Sequence, residues 1–203
     1  MKRVVFPADN NCLFTSIAYL FQGGCGDKGA SLRQVVAQAV AADPVKWSES
    51  VLGKPPAEYV SWIKRPNQAW GGAIELAIFA EHFGTTIVAL DVQTVKEHVF
   101  QPGSKEATRV AFLLYDGIHY DAAAMDPVGD GTPRLLLERT FGSADATAWE
   151  TARALVREAH AKRQFTDTAS FTLRCLVCQK GLVGQQAAMK HAKESGHANF
   201  AEY

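Results

Sequence analysis

The sequence predicts a mixed α/β (α+β) domain, a small mixed sheet flanked by helices, followed by a compact ββα module. Three observations carry that prediction. Apolar residues recur at helical spacing through the first half of the chain. Strand-like runs cluster between Thr86 and Asp121. A C-x2-C pair near the C-terminus is followed by two histidines. With 203 residues and 47% hydrophobic content, the chain can bury one main core and carry a small appendage. The expected boundaries are 1–145 for the main domain, 146–170 for a connecting helix and linker, and 171–203 for the module.

The elements follow in order. Residues Lys2 to Phe6 read as a short strand ending at Pro7. A helix then runs from Cys12 to about Gln22, with Leu13, Phe14, Ile17, Ala18, Leu20 and Phe21 as its apolar positions. A glycine-rich loop holding Cys25 separates it from a second helix. Ser31 is its expected N-cap and Leu32, Val35, Val36, Ala39 and Val40 are its buried face. One or two helices are expected over Pro55 to Trp70. Ala73 to Phe83 is strongly helical and closed by Gly84.

Thr86 to Leu90 and Val110 to Tyr115 are buried-strand runs, with a weaker strand over Val95 to Phe100. Asp116-Gly117 signals a hairpin, so a returning strand is expected from Ile118. Asp126 to Pro133 reads as a loop, and Arg134 to Phe141 as a strand or linker. Ala146 to Arg163 is helical, supported by the Glu158–Lys162 pair.

Composition excludes several classes. The 21 basic and 21 acidic residues cancel, so no basic field marks the chain for nucleic acid. No apolar run approaches the roughly 18 residues that span a bilayer. No signal-peptide pattern opens the chain, and the cysteine placement suits a reducing compartment better than a disulfide framework. The expected location is the cytoplasm, with the nucleus also open, and the default oligomeric state is a monomer.

Cys12 sits where polar turn residues give way to an apolar helix. Unpaired N–H groups and the positive end of the helix dipole converge there, which favours a thiolate and offers donors to an oxyanion. A thiolate needs a base, and the base needs an orienter. His119 is the candidate base, and Asp121, two residues on, projects to the same face of the strand. Asp9 stands three residues before Cys12, able to fix the loop or contact the site. The amides around Asp9, Asn10 and Cys12 are expected to form the oxyanion hole. Position alone leaves the ordinary alternatives open. Free cysteines commonly pack as small apolar residues, and hairpin histidines commonly face solvent. His82, His98 and His160 read as structural, and Cys25 as non-catalytic.

The stretch Asp9-Asn10-Asn11-Cys12-Leu13-Phe14-Thr15-Ser16-Ile17 resembles the catalytic cysteine motif of the ovarian-tumour (OTU) deubiquitinases. Tyr115-Asp116-Gly117-Ile118-His119-Tyr120-Asp121 resembles their histidine motif. The segments Trp70 to Phe79 and Asp91 to Thr94 resemble those of the branch that carries a C-terminal Cys2His2 finger. The resemblance covers nearly the whole chain. It implies a papain-like cysteine protease fold with Cys12 as nucleophile, His119 as general base, Asp9 as the acidic member of the motif and Asp121 as histidine orienter. The implied reaction is cleavage of isopeptide or thioester-type bonds at ubiquitin's C-terminal glycine, with no catalytic cofactor. Asn10, Asn11, Trp70, Gly71, Gly117 and Ile118 are the expected substrate-binding residues. The implied partners are ubiquitin and polyubiquitin chains. Members of this branch often carry an N-terminal ubiquitin-like region that docks on a AAA+ segregase in protein quality control; this chain begins almost at the catalytic segment. A catalytically inactive ubiquitin-binding scaffold is the other reading, and no departure in the motifs favours it.

Cys175-x2-Cys178-x12-His191-x5-His197 has Cys2His2 zinc spacing. Four protein ligands make the zinc structural. The hairpin is expected over Phe171 to Lys180 and the helix over Gln185 to Lys193, with Leu182 and Met189 as its core. Nucleic-acid binding is the rival role. It is weakened because one finger reads about three base pairs and because residues 171–203 hold only four basic residues against two acidic.

Overall fold

The structure is a computed structural model. It describes residues 1–23, 29–66, 68–103, 106–128, 133, 136–167, 170, 172–197 and 200–202. The reading of Cys25 and parts of the expected 126–133 loop and 134–141 strand lie outside the described residues.

The main unit is a mixed sheet between two helical layers. Its strands are β1 (Lys2–Val4), β2 (Thr86–Asp91), β3 (Glu97–Phe100), β4 (Arg109–Tyr115), β5 (Tyr120–Ala124) and β6 (Phe141–Gly142), in the order β1-β5-β4-β2-β3 with β6 on β4. Only β2 and β4 run parallel; the other pairs are antiparallel. Alternation along the strands divides the core in two. Ile87, Ala89, Ala111, Leu113, Ala122 and Ala124 face α1 (Cys12–Gln22), α2 (Ala30–Ala42), α4 (Pro56–Ile63) and α5 (Ala73–Phe83). Val88, Leu90, Val110, Phe112, Leu114 and Ala123 face α6 (Ala146–Ala161), which buries Ala148, Ala152, Val156 and Ala159 at helical spacing. The helix expected to connect the two units is therefore also the cover of the sheet's second face. The short α3 (Glu49–Leu52) precedes α4.

Three local departures bear on the site. The second helix begins at Ala30 and its N-cap is Gly29, not Ser31. Gly29 has φ +80°, and a Cβ there would lie 2.4 Å from Phe14 Cβ, so only glycine lets α2 start this close to α1. The first strand ends at Val4, because the amide of Phe6 leaves the ladder to donate to Asp121 Oδ1 at 2.8 Å. The returning strand starts at Tyr120 rather than Ile118. The Asp116 carboxylate takes the amides of Ile118 (3.2 Å) and His119 (2.8 Å), which makes residues 116–119 a loop.

The C-terminal unit contains β7 (Thr172–Cys175), β8 (Gly181–Val183), α7 (Gly184–Ser195) and β9 (Phe200–Glu202), in the sheet order β8-β7-β9. The expected helix is present and longer at both ends. The hairpin's second strand falls at Gly181–Val183, past the expected end at Lys180; its expected start, Phe171, lies outside the described residues, and β9 is a third strand. The expected core is half right. Leu182 is buried, but Met189 is 64% exposed and Ala188 is buried instead. His191 must face the other ligands, and Ala188 lies one turn before it on the same face, which turns Met189 outward.

Candidate active site

Cys12 is the first residue of α1, buried at the mouth of the helix. His119 ends the loop between β4 and β5, and Asp121 is the second residue of β5. The three converge. His119 Nε2 lies 3.0 Å from Asp121 Oδ1, and the Cys12 side chain is a second hydrogen-bond partner of the imidazole. With Nε2 on the carboxylate, Nδ1 is the nitrogen left for the thiol. The hydrogen bond to Asp121 and then that to Cys12 push His119 up to about 10, against the opposing effect of burial. Burial pushes the Asp121 carboxyl up. The hydrogen bonds from His119, the Phe6 amide and Arg3 outweigh it and hold the group below its ordinary value.

Sequence reasoning gave Arg3 no role in the site and Asp116 only that of a turn residue in the histidine motif. Arg3 Nε donates to Asp121 Oδ2 at 2.6 Å and its Nη2 to Asp116 Oδ2 at 3.2 Å. One guanidinium thus anchors both the carboxylate on the His119 ring and the carboxylate on the His119 backbone.

Asp9 plays a different part from Asp121. It is exposed, and its Oδ1 accepts the Asn11 amide at 2.8 Å, which shapes the loop before Cys12. The Asp9 amide donates to Pro7 O (3.0 Å) and the Cys12 amide to Asp9 O at a long 3.2 Å; among the described residues the Asn10 amide has no partner. Asn11 departs from its expected substrate contact. It is buried, and its side-chain oxygen accepts from Arg33 Nη2 at 3.0 Å, so it supports the loop from beneath.

Trp70, Gly71, Gly117 and Ile118 line one cavity of about 630 Å³, together with Phe100, Tyr115 and Tyr120. A Cβ at Gly71 would lie 2.5 Å from Leu13 Cδ2 and 3.1 Å from Phe14 Cε2, so a larger residue would have to displace the Leu13 side chain for this wall to rest on α1 directly after Cys12. Glu75 fixes the same wall from behind. Its Oε2 accepts the Gly72 amide at 2.7 Å, and its Oε1 accepts the Tyr59 hydroxyl. Burial pushes Glu75 up from the ordinary carboxylate range.

A helix-start thiol, an imidazole on its flank and a carboxylate behind the imidazole form the constellation of a cysteine hydrolase. The profile of the OTU-like cysteine protease family matches residues 7–120, the segment that supplies Cys12 and His119. The chain belongs to this family. A second profile, described as the C-terminal C2H2-type zinc finger of ubiquitin thioesterase OTU1, matches residues 169–203. Ubiquitin thioesterase OTU1 of Danio rerio is 45% identical over 204 residues, which are 100% of this chain and 66% of that protein. The human protein of the same name is 46% identical and is spanned over 57% of its length. The chain thus spans about two thirds or less of these vertebrate relatives. An Arabidopsis thaliana protein named ovarian tumor domain-containing deubiquitinating enzyme 2 is 42% identical, over 99% of this chain and 97% of its own. Among solved structures, an OTU domain in complex with ubiquitin is similar, with a TM-score of 0.70 at 26% identity, covering 81% of this chain and 90% of that one.

The chain also carries a metal-competent cluster in its C-terminal unit. The ligand atoms of Cys175, Cys178, His191 and His197 lie within 4.8 Å of one another. Cys178 Sγ is 3.4 Å from His191 Nε2, and Cys175 Sγ is 3.7 Å from His197 Nδ1. Tetrahedral zinc, with Zn–S about 2.3 Å and Zn–N about 2.1 Å, puts S and N about 3.6 Å apart. The donor set therefore fits zinc. Gly196, at φ +74°, ends α7 and turns His197 back toward the cysteines.

Proposed function

We propose that the protein is a cysteine-type deubiquitinase that cleaves the bond after ubiquitin's C-terminal glycine. The observation that carries this reading is the convergence of Cys12, His119 and Asp121 at one helix mouth. Its family membership and its similarity to proteins named ubiquitin thioesterase supply the substrate class.

The chemistry follows from the geometry. The Cys12 thiolate attacks the glycine carbonyl carbon, and the oxygen takes the negative charge beside the loop amides. His119, protonated and held by Asp121, gives its proton to the lysine nitrogen as the C–N bond breaks. His119 then accepts a proton from water, which attacks the thioester and restores the thiol. The cavity of about 630 Å³ between Trp70–Gly72 and Gly117–Ile118 has the dimensions of a channel for an extended tail. Cys175, Cys178, His191 and His197 hold one structural zinc, leaving no ligand position open. The catalytic residues lie apart from it in sequence and need no metal. We place the protein in a reducing compartment, where Cys12 stays a free thiol.

The test is cleavage of a panel of di-ubiquitins. Cys12→Ala removes the nucleophile, and the rate is expected to fall by at least about 1,000-fold with melting unchanged. A Cys12→Ala protein that still cleaves at the wild-type rate sinks the mechanism.

A further inference from the structure

The most unusual buried group is Arg33, on α2. Its side chain is 2% exposed, and its guanidinium lies 3.9 Å above the centre of the Phe14 ring. Nη1 donates to Ile63 O at 2.9 Å. Nη2 is shared among Asn10 O (2.8 Å), Asn11 Oδ1 (3.0 Å) and Ala69 O (2.9 Å). Among the described residues Nε has no partner although it is buried. These partners are carbonyl oxygens, not carboxylates. A buried cation held this way is a costly choice for stability alone, since apolar residues of similar volume commonly serve as well or better.

Its partners show what the arrangement achieves. The peptide plane between Asn10 and Asn11 is held at both edges: Arg33 takes the carbonyl, and Asp9 takes the N–H. That plane cannot rotate while both bonds stand. The amides on either side of it are those of Asn10, which has no partner among the described residues, and of Cys12, which is paired only at 3.2 Å. The same guanidinium reaches Ala69, the residue before the Trp70–Gly72 wall.

We propose that Arg33 is a positioning residue for the oxyanion-binding amides: it fixes the Asn10–Asn11 peptide and ties the cysteine loop to the opposite wall of the channel. The assignment rests on the hydrolase reading. It also makes a distinction that mere structural support does not. Acyl transfer builds charge on the carbonyl oxygen and needs those amides. Alkylation of Cys12 by iodoacetamide builds no oxyanion and needs only the thiolate.

The experiment compares wild type, Arg33→Lys and Asn11→Ala in the full chain. It uses a ubiquitin C-terminal fluorogenic amide for kcat and KM, mass spectrometry for iodoacetamide alkylation of Cys12, and thermal melting to verify folding. Lysine keeps the charge but lacks the planar donor fork with which Arg33 spans its four acceptors. For folded Arg33→Lys, kcat is expected to fall about 30-fold, below the full loss of an oxyanion donor, with KM within about 3-fold and alkylation within about 2-fold. Asn11→Ala removes a single acceptor, and its kcat is expected to fall about 5-fold with alkylation unchanged. A folded Arg33→Lys with wild-type kcat overturns the inference. So does an equal fall in hydrolysis and alkylation, which would put the effect on the thiol and its base. If Arg33→Lys does not fold, Asn11→Ala decides, and an unchanged kcat there overturns the inference. An inactive wild type overturns the hydrolase reading, and this inference with it.

Discussion

The main unit and the C-terminal finger solve the same problem by different means. Around the sheet, both faces are covered, and side chains such as Phe14, Ile17, Leu76, Phe79, Ile87 and Phe112 are fully buried. In the finger, among the described side chains, burial reaches Cys175, Leu182, Ala188 and His191, two of which belong to the metal-competent cluster. The first unit has enough apolar surface to hold itself together. The second is too small for that, and its cohesion is expected to come from four bonds to one ion.

The largest expected effect separates the two directly. Chelating zinc from the full chain removes a contribution that is about 10–16 kcal/mol in zinc-finger peptides. Amide hydrogen exchange should then become fast across 172–197 while the strands at 86–91 and 109–115 stay protected. Loss of protection in both regions together breaks the comparison. The reverse experiment is smaller. Phe79→Ala opens a void where Phe79 meets Phe14 edge-on at 6.0 Å between ring centres, and should cost the main unit about 3–5 kcal/mol. Urea unfolding monitored at the sheet measures it, and the finger's metal affinity should not move.

The third test is pH, where the two units should respond with opposite sign. His119 is raised to about 10 in the folded protein, against about 6.5 unfolded. Its stabilising contribution is complete below the lower value and is lost as pH rises through the higher one. The finger instead weakens as pH falls, because protons compete with the metal for its ligands. Melting curves of wild type and His119→Gln between pH 7 and 10.5 check the first half. A wild-type protein whose stability tracks the variant across that range removes the coupling.

What could be read from the sequence divides along sequence distance. Helical stripes and strand runs are local patterns, and they gave α1, α5, β2 and β4 nearly to the residue. Cys12 was legible as a thiol at a turn-to-helix junction, and His119 and Asp121 through the resemblance of residues 115–121 to a family motif; the strand spacing expected for that pair does not hold, because His119 lies in the loop before β5. Arg3 was not legible, since its tie to Asp121 spans 118 residues. Nor was Arg33, whose partners come from the cysteine loop, the end of α4 and the segment after it and are mostly backbone carbonyls, carrying no side-chain signal. Met189 and Ala188 were exchanged because both are apolar, and the metal ligands set the phase of α7.

The Arg3–Asp121 tie has a consequence for how this molecule is born. Cys12 leaves the ribosome with the first helix, long before β5 has been made. Until β5 pairs with β4 and β1, the thiol has neither His119 beside it nor Asp121 behind that ring. The nascent chain therefore carries Cys12 without its base and orienter until β5 has been made. Imidazole and carboxylate reach the thiol together, when β5 pairs with β4 on one side and β1 on the other.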